Sequence, residues 1–212
     1  MKFFKRHAYA LLFTLFLMGA NVYSLLKVFV IPSAVSTVSA NTTSSTTASS
    51  TASTSTGKVT KTDTTYKDDN MDIKITTGKT SDTTYYVADI KLSSADYLKT
   101  ALAQNTYGTN ITDTTSSIAQ QNNAIFAING DYYGANQSGY VIKNGQVYRD
   151  TDRNSDYEDL AVYSDGSFKT FNESYTTAQK LVDSGVVNTF AFGPTLVENG
   201  KIAVSENEEV GQ

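Results

Sequence analysis

The sequence predicts an α+β fold, mostly antiparallel strands with a few short helices, and three observations predict it. Period-two alternation of apolar and polar residues marks strands at Asp72–Thr76 and Thr83–Leu92. The dipeptides Asn144-Gly145, Asp165-Gly166 and Asn199-Gly200 follow strand-like runs and precede others, the pattern of tight hairpins. Helix-like patterns are confined to short stretches at 94–102, 111–121 and 176–184. Consecutive hairpins with a few helices packed against them form an α+β layer arrangement rather than a parallel sheet.

The chain of 212 residues has room for one domain plus extensions. Residues 1–40 form a leader, 41–66 a linker and 67–212 the folded domain. In the leader, Lys2, Lys5 and Arg6 precede the apolar run Ala8–Met18, and apolar residues continue past Asn21, Ser24 and Lys27 to Ile31. The basic flank places the start in the cytoplasm and the rest of the chain outside it. Two readings stay open: a signal peptide cleaved after Val38-Ser39-Ala40, or a membrane-anchor helix that stays in place, which the length of the whole apolar stretch favours. The linker is almost wholly Ser, Thr and Ala. It buries too little surface to offset its ordering entropy and is expected to be a flexible tether, a wall-crossing stalk or a passive spacer.

Composition excludes several chemistries. There is no cysteine, hence no disulfide framework, thiolate metal site or cysteine nucleophile. The single histidine is His7, in the leader, so the domain has neither a serine–histidine–carboxylate triad nor a histidine metal ligand. A net charge of −4 with no long basic run argues against a nucleic-acid partner.

Along the domain, the strands at 72–76 and 83–92 are joined by a turn at Thr77–Asp82. Its Gly78-Lys79-Thr80 lacks the earlier glycine and the following helix of a phosphate-binding loop. Ser93 or Ser94 caps the first predicted helix, to Leu102. The second, from Ile111 to Gln121, leads into Ala124–Ile128, an apolar run of strand length. That run ends at Asn129-Gly130-Asp131, where turn residues permit positive φ, and Tyr132-Tyr133 follow. Tyr140–Lys143 and Gln146–Arg149 make a hairpin about Asn144-Gly145. The stretch Asp150–Asp159 imitates the start of a calcium loop, but Ser155 replaces its glycine and Ala161 its bidentate glutamate. A solvated acidic loop is the better reading, with weak calcium binding left open. Leu160–Tyr163 and Ser167–Phe171 form a second hairpin. The third helix has Thr176 as its N-cap and Gly185 as its stop, and a strand at Val186–Phe192 ends in Gly193-Pro194.

The segment from Ala124 to Gly145 is similar to the phosphodiester glycosidase family. That family has an apolar strand running into Asn-Gly-(Gly or Asp)-aromatic-aromatic, then Gly-aromatic-Val-Ile-x-Asn-Gly. The matching residues are Asn129 to Tyr133 and Gly139 to Gly145. Phe190–Gly200 resembles the family's Phe-Gly-Pro-x-Leu-Val-x-Asn-Gly segment. The resemblance covers roughly residues 85 to 212. Two later family segments, an Asn-Pro-Arg strand and an Asp-Gly-Gly-Gly-Ser loop, are not in this sequence. The expectation is therefore the amino-terminal part of such a domain, incomplete at its carboxyl end.

The resemblance implies an extracytoplasmic hydrolase cleaving sugar-1-phosphodiester linkages in envelope glycan or exopolysaccharide. The alternative is a non-catalytic glycan-binding or assembly accessory protein. Such cleavage passes through an oxocarbenium-like state and needs its phosphate held and its cation stabilised. No metal or other cofactor is certain; calcium stays open. Asn129 and Asp131 are the candidate catalytic residues. Asn129 is otherwise a turn amide, and Asp131 otherwise a loop cap. Tyr132, Tyr133, Arg149, Gly193 and Pro194 are the candidate substrate-binding residues. The two tyrosines are otherwise core, and Arg149 otherwise a solvated cation.

Overall fold

The computed structural model describes residues 2–34, 58–153 and 158–205. Most of the linker, the proposed cleavage point at Ala40, Asn154–Tyr157 of the acidic loop and the acidic tail lie outside the described residues. In chain order the elements are α1 Lys2–Phe29, β1 Ser33–Ala34, β2 Thr60–Lys61, β3 Thr65–Lys67, β4 Met71–Lys79, β5 Thr84–Leu92, β6 Gly108–Thr109 and α2 Thr115–Gln121. They continue with β7 Val141–Lys143, β8 Gln146–Arg149, β9 Asp159–Tyr163, β10 Phe168–Phe171, α3 Ala178–Asp183, β11 Val186–Phe190, β12 Val197–Glu198 and β13 Lys201–Ile202. Every strand pairing is antiparallel.

The leader forms the helix α1, but the membrane anchor finds no support. Among the described residues no helix is long and apolar enough to cross a membrane. The apolar run Ala8–Met18 falls well short of the ~20 residues a span needs. Beyond it Asn21 folds its amide back onto the Leu17 carbonyl (2.8 Å), and Ser24 and Lys27 follow.

One sheet has the order β2-β3-β4-β5. It reaches back into residues assigned to the linker, since β2 and most of β3 precede residue 67. The turn into β4 is closed by Asp68, whose carboxylate accepts the Asn70 and Met71 amides (2.8 and 2.7 Å). β4 and β5 pair over their full length, with Ile73 opposite Ile90 and Lys74 opposite Asp89.

The second sheet, β10-β9-β11, holds the core. Ala161 and Val162 on β9 and Val186, Asn188 and Thr189 on β11 are buried. The β9–β10 turn uses Gly166 at φ +85°, with the Asp165 carboxylate accepting the Ser167 amide at 2.8 Å. α3 lays Ala178 and Leu181 against Tyr140, Ile142 and Val186. Its N-cap is Thr177 rather than Thr176: the Thr177 hydroxyl accepts the Lys180 amide (3.2 Å). Gly185 at φ +99° stops it.

The hairpin β7–β8 turns at Asn144-Gly145, both of positive φ. It abuts β11 through side chains. The Ile142 amide donates to the Thr189 hydroxyl (3.0 Å) and the Asn144 amide to the Asn188 carboxamide (2.9 Å). The register of β11 shifts between Val186 and Asn188, and the Val187 carbonyl accepts the Gly145 amide at 2.7 Å.

Two predicted elements differ. The predicted helix at 94–102 shrinks to a 3-10 turn at Ala95–Tyr97, capped by Ser94, and Thr100 is drawn instead to Asn144 and Asn188. Ala124–Ile128 is no strand: it has no sheet neighbour, and Ile128 is 77% exposed. A strand is stable only when its backbone groups are paired, and among the described residues nothing pairs with this one.

Candidate functional site

Asp131 joins the two motifs that lie far apart in sequence. One carboxylate oxygen accepts the Ala191 amide (3.0 Å), in the Phe190–Pro194 segment. The other pairs with the ammonium of Lys143 at 3.2 Å, both side chains being only 5% exposed. Lys143 also donates to the Thr189 carbonyl (2.8 Å) and lies 4.1 Å from the centre of the Phe190 ring. Three structural elements thus converge on one buried ion pair: the 129–133 loop, the end of β7 and the end of β11. Burial pushes the Lys143 pKa down, and the Asp131 charge works against that shift.

Around this pair the other predicted residues divide. Asn129 is exposed, and neither it nor Gly130 is among the residues of positive φ. Tyr132 is half exposed and meets Phe192 edge to face (6.0 Å between ring centres). Tyr133 turns inward and stacks on Tyr107 at 5.3 Å, and Tyr107 also contacts Tyr148 at 5.1 Å. Burial raises the pKa of both Tyr107 and Tyr133, so both phenols keep their protons at neutral pH. Gly193-Pro194 is joined by a cis peptide bond. Next to it the Thr195 hydroxyl donates to Glu158 at 2.7 Å.

Arg149 faces the loop backbone. Its Nε donates to the Gly139 carbonyl (2.5 Å), and its Nη1 to the carbonyls of Tyr133 (3.0 Å) and Asn136 (2.6 Å). A guanidinium has five donors in a fixed fork, and here three bonds clamp the 133–139 loop beside a cavity of about 210 Å³ lined by Tyr107, Tyr148 and Gln137.

Sequence reasoning missed Lys143 and a second buried cluster. A lysine directly before an Asn-Gly turn reads as solvated, and no local pattern marks it for burial. In the second cluster, Arg153 contacts Asp159, and its amide donates to Glu173 (2.7 Å). Glu173 also accepts the Tyr140 amide. Burial, and then the neighbouring Glu173, push the Asp159 carboxyl up to about 8 against the pull of Arg153. Asp159 is thus buried where a solvated loop was expected, and two acids are withdrawn from the calcium-like stretch. Asp159 is engaged by Arg153, and Asp150 accepts the Ala178 amide at the start of α3 (2.9 Å). Among the described residues no group of three or more acidic or histidine side chains is placed to hold a metal.

Residues 122–212 match the family model described as phosphodiester glycosidase. This segment is similar to the phosphodiester glycosidase family. The matched range contains both motif loops, Lys143 and the Arg153 cluster, so it includes every residue of the ion-pair junction. A stretch of 99 residues is also 31% identical to the SPbeta prophage-derived uncharacterized protein YomE of Bacillus subtilis (strain 168), covering 45% of this chain and 15% of that protein. The chain thus spans about 15% of the length of that curated relative. No solved structure matches it.

Proposed function

We propose that the matched segment contributes the 129–133 and 190–194 face of a site that hydrolyses sugar-1-phosphodiester linkages in extracytoplasmic glycan. The supporting observation is the junction itself: Asp131 binds the Ala191 amide and the Lys143 ammonium at once. In this reading Asp131 and Lys143 are positioning residues, which fix the loop that carries Asn129 and on which Tyr132 meets Phe192. Asn129 is the exposed amide on this face, able to donate to a phosphate or sugar oxygen and to accept from a sugar hydroxyl. The exposed pair Tyr132 and Phe192 supplies apolar surface for a sugar ring. The departing phosphodiester is a weak base, so the reaction asks chiefly for positioning and charge stabilisation. The leader and Ser/Thr-rich linker support export.

The test is release of free sugar from a sugar-1-phosphodiester by the full-length protein, with and without added divalent metal. Turnover that falls at least tenfold in Asn129→Ala, with the fold intact, supports the reading; absence of turnover under every metal condition counts against it. One observation favours a binding-only alternative. Asp131 and Arg149 already bond within the protein, leaving this face rich in aromatic and amide groups. Glycan retention without turnover, lost in Tyr132→Ala, would select that alternative.

A further inference from the structure

The strand β5 closes the order β2-β3-β4-β5 and has no neighbour on its far side among the described residues. Eight of its nine residues are exposed, among them Tyr86 at 70% and Val87 at 51%. The flanking bonds set the phase of its ladder. Thr80 donates to the Thr83 carbonyl (2.8 Å) at one end, and Ser93 to the Asn70 carbonyl (2.9 Å) at the other. Antiparallel bonding alternates, so Tyr85, Val87, Asp89 and Lys91 bond to β4. The N–H and C=O groups of Tyr86, Ala88, Ile90 and Leu92 point outward, toward the open edge. Natural edges of this length are blunted by proline, a bulge, a cover or charged side chains; the charges of β5, Asp89 and Lys91, are one of each sign. This one pairs with β4 without interruption and carries no proline.

We propose that β5 pairs antiparallel with β5 of a second copy of this chain, about a twofold axis through Ile90. Charge and side-chain pattern select both the partner and the register. With the axis at Ile90, Asp89 stands opposite the second copy's Lys91, and Lys91 opposite its Asp89. Within the chain, Lys74 already lies opposite Asp89 and Asp72 opposite Lys91. Across four strands the row therefore reads Lys74, Asp89, Lys91, Asp72, alternating in sign throughout. On the other face the two rows nearest the axis are apolar, Ile73, Ile90, Ile90, Ile73 and then Ile75, Ala88, Leu92, Met71. Outward backbone groups meet outward backbone groups, because Ile90 faces itself and Ala88 faces Leu92. Moving the axis to Asp89 sets two aspartates face to face, which is destabilising. Moving it to Ala88 leaves Asp89 opposite Val87 and Lys91 opposite Tyr85, with no charge partner across the new seam.

Disulfide trapping in the full chain is the test, with detergent present because α1 exposes Leu12, Leu15 and Phe16. The chain has no cysteine, so a single introduced thiol reports one position. Oxidised Ile90→Cys is expected to run at twice 23.0 kDa on a non-reducing gel, while Ala88→Cys, which faces Leu92 across the axis, stays at 23.0 kDa. Ala88→Pro removes only an outward N–H and is expected to give a folded monomer by sedimentation, with the far-UV spectrum kept. Three results would each overturn the proposal: crosslinking of the Ala88→Cys chain but not of the Ile90→Cys chain, a folded Ala88→Pro chain that still dimerises, or an unmodified chain of 23.0 kDa at every concentration.

Discussion

Replacing Lys143 by methionine tests whether the Asp131–Lys143 pair holds the site together. Both side chains are 5% exposed, and their oxygen and nitrogen lie 3.2 Å apart. Methionine keeps much of the lysine's apolar stem but leaves Asp131 with the Ala191 amide as its remaining described partner. Removing one member of a buried pair strands the other charge, at a cost of about 3–5 kcal/mol. Against a typical domain stability of roughly 5–15 kcal/mol that is a large fraction. With a slope of about 2 kcal/mol per molar urea, the midpoint should fall by roughly 2 M. The double variant Asp131→Asn/Lys143→Met keeps an acceptor for Ala191 and removes both charges. It should therefore recover most of the loss and sit within about 1–2 kcal/mol of the parent, the cost of a hydrogen bond or two. Urea unfolding followed by tyrosine fluorescence suits a chain with 14 tyrosines and no tryptophan. A Lys143→Met loss below about 1 kcal/mol, or a double variant no better than the single one, would refute the reasoning, since a buried unpaired charge must cost more than a surface pair.

Three further outcomes are expected. Asp159 has its carboxyl raised from 3.8 to about 8, so between those values the folded chain holds a proton that the unfolded chain has released. Its contribution to stability is complete below 3.8 and lost as pH rises through about 8, so Tm should fall over that window and Asp159→Asn should flatten the fall. Thr177→Ala removes the observed cap of α3 and should cost about 1 kcal/mol in chemical denaturation, while Thr176→Ala stays within about 0.5 kcal/mol. Gly139 has φ +99°, and an added Cβ would stand 3.3 Å from the Arg153 side chain. Gly139→Ala should therefore lower stability by about 1–3 kcal/mol, read as a drop in Tm.

What the sequence announced was mostly local. Asn144-Gly145, Asp165-Gly166 and Asn199-Gly200 all turn where their residue types require, because a tight hairpin is set by its own few dihedrals. The strands at 71–79 and 84–92 followed their alternation for the same reason. The nearness of the two motif loops was not legible in periodicity; it rests on the bond between Asp131 and the Ala191 amide. The failures were matters of context. Ala124–Ile128 has strand composition but no neighbour to pair with, and composition cannot report a neighbour. The 94–102 stretch had a cap but too little helical bonding to outweigh the bonds Thr100 makes with Asn144 and Asn188. Lys143 was unreadable because its burial depends on Asp131, whose own place depends on Ala191. Arg149 was legible as a cation near the loop, though its partners proved to be backbone carbonyls.

The bond from the Ala191 amide to Asp131 spans 60 residues of chain, whereas the hairpins close over a handful. Closing a long loop costs entropy before any contact repays it, so local hairpins form early and distant pairings late. The 129–133 and 190–194 segments should then lock together only after β7–β8 and β9–β10 have folded. Deuterium exchange at the single Ala191 amide would consequently clock the assembly of the site, separately from the folding of the sheets around it.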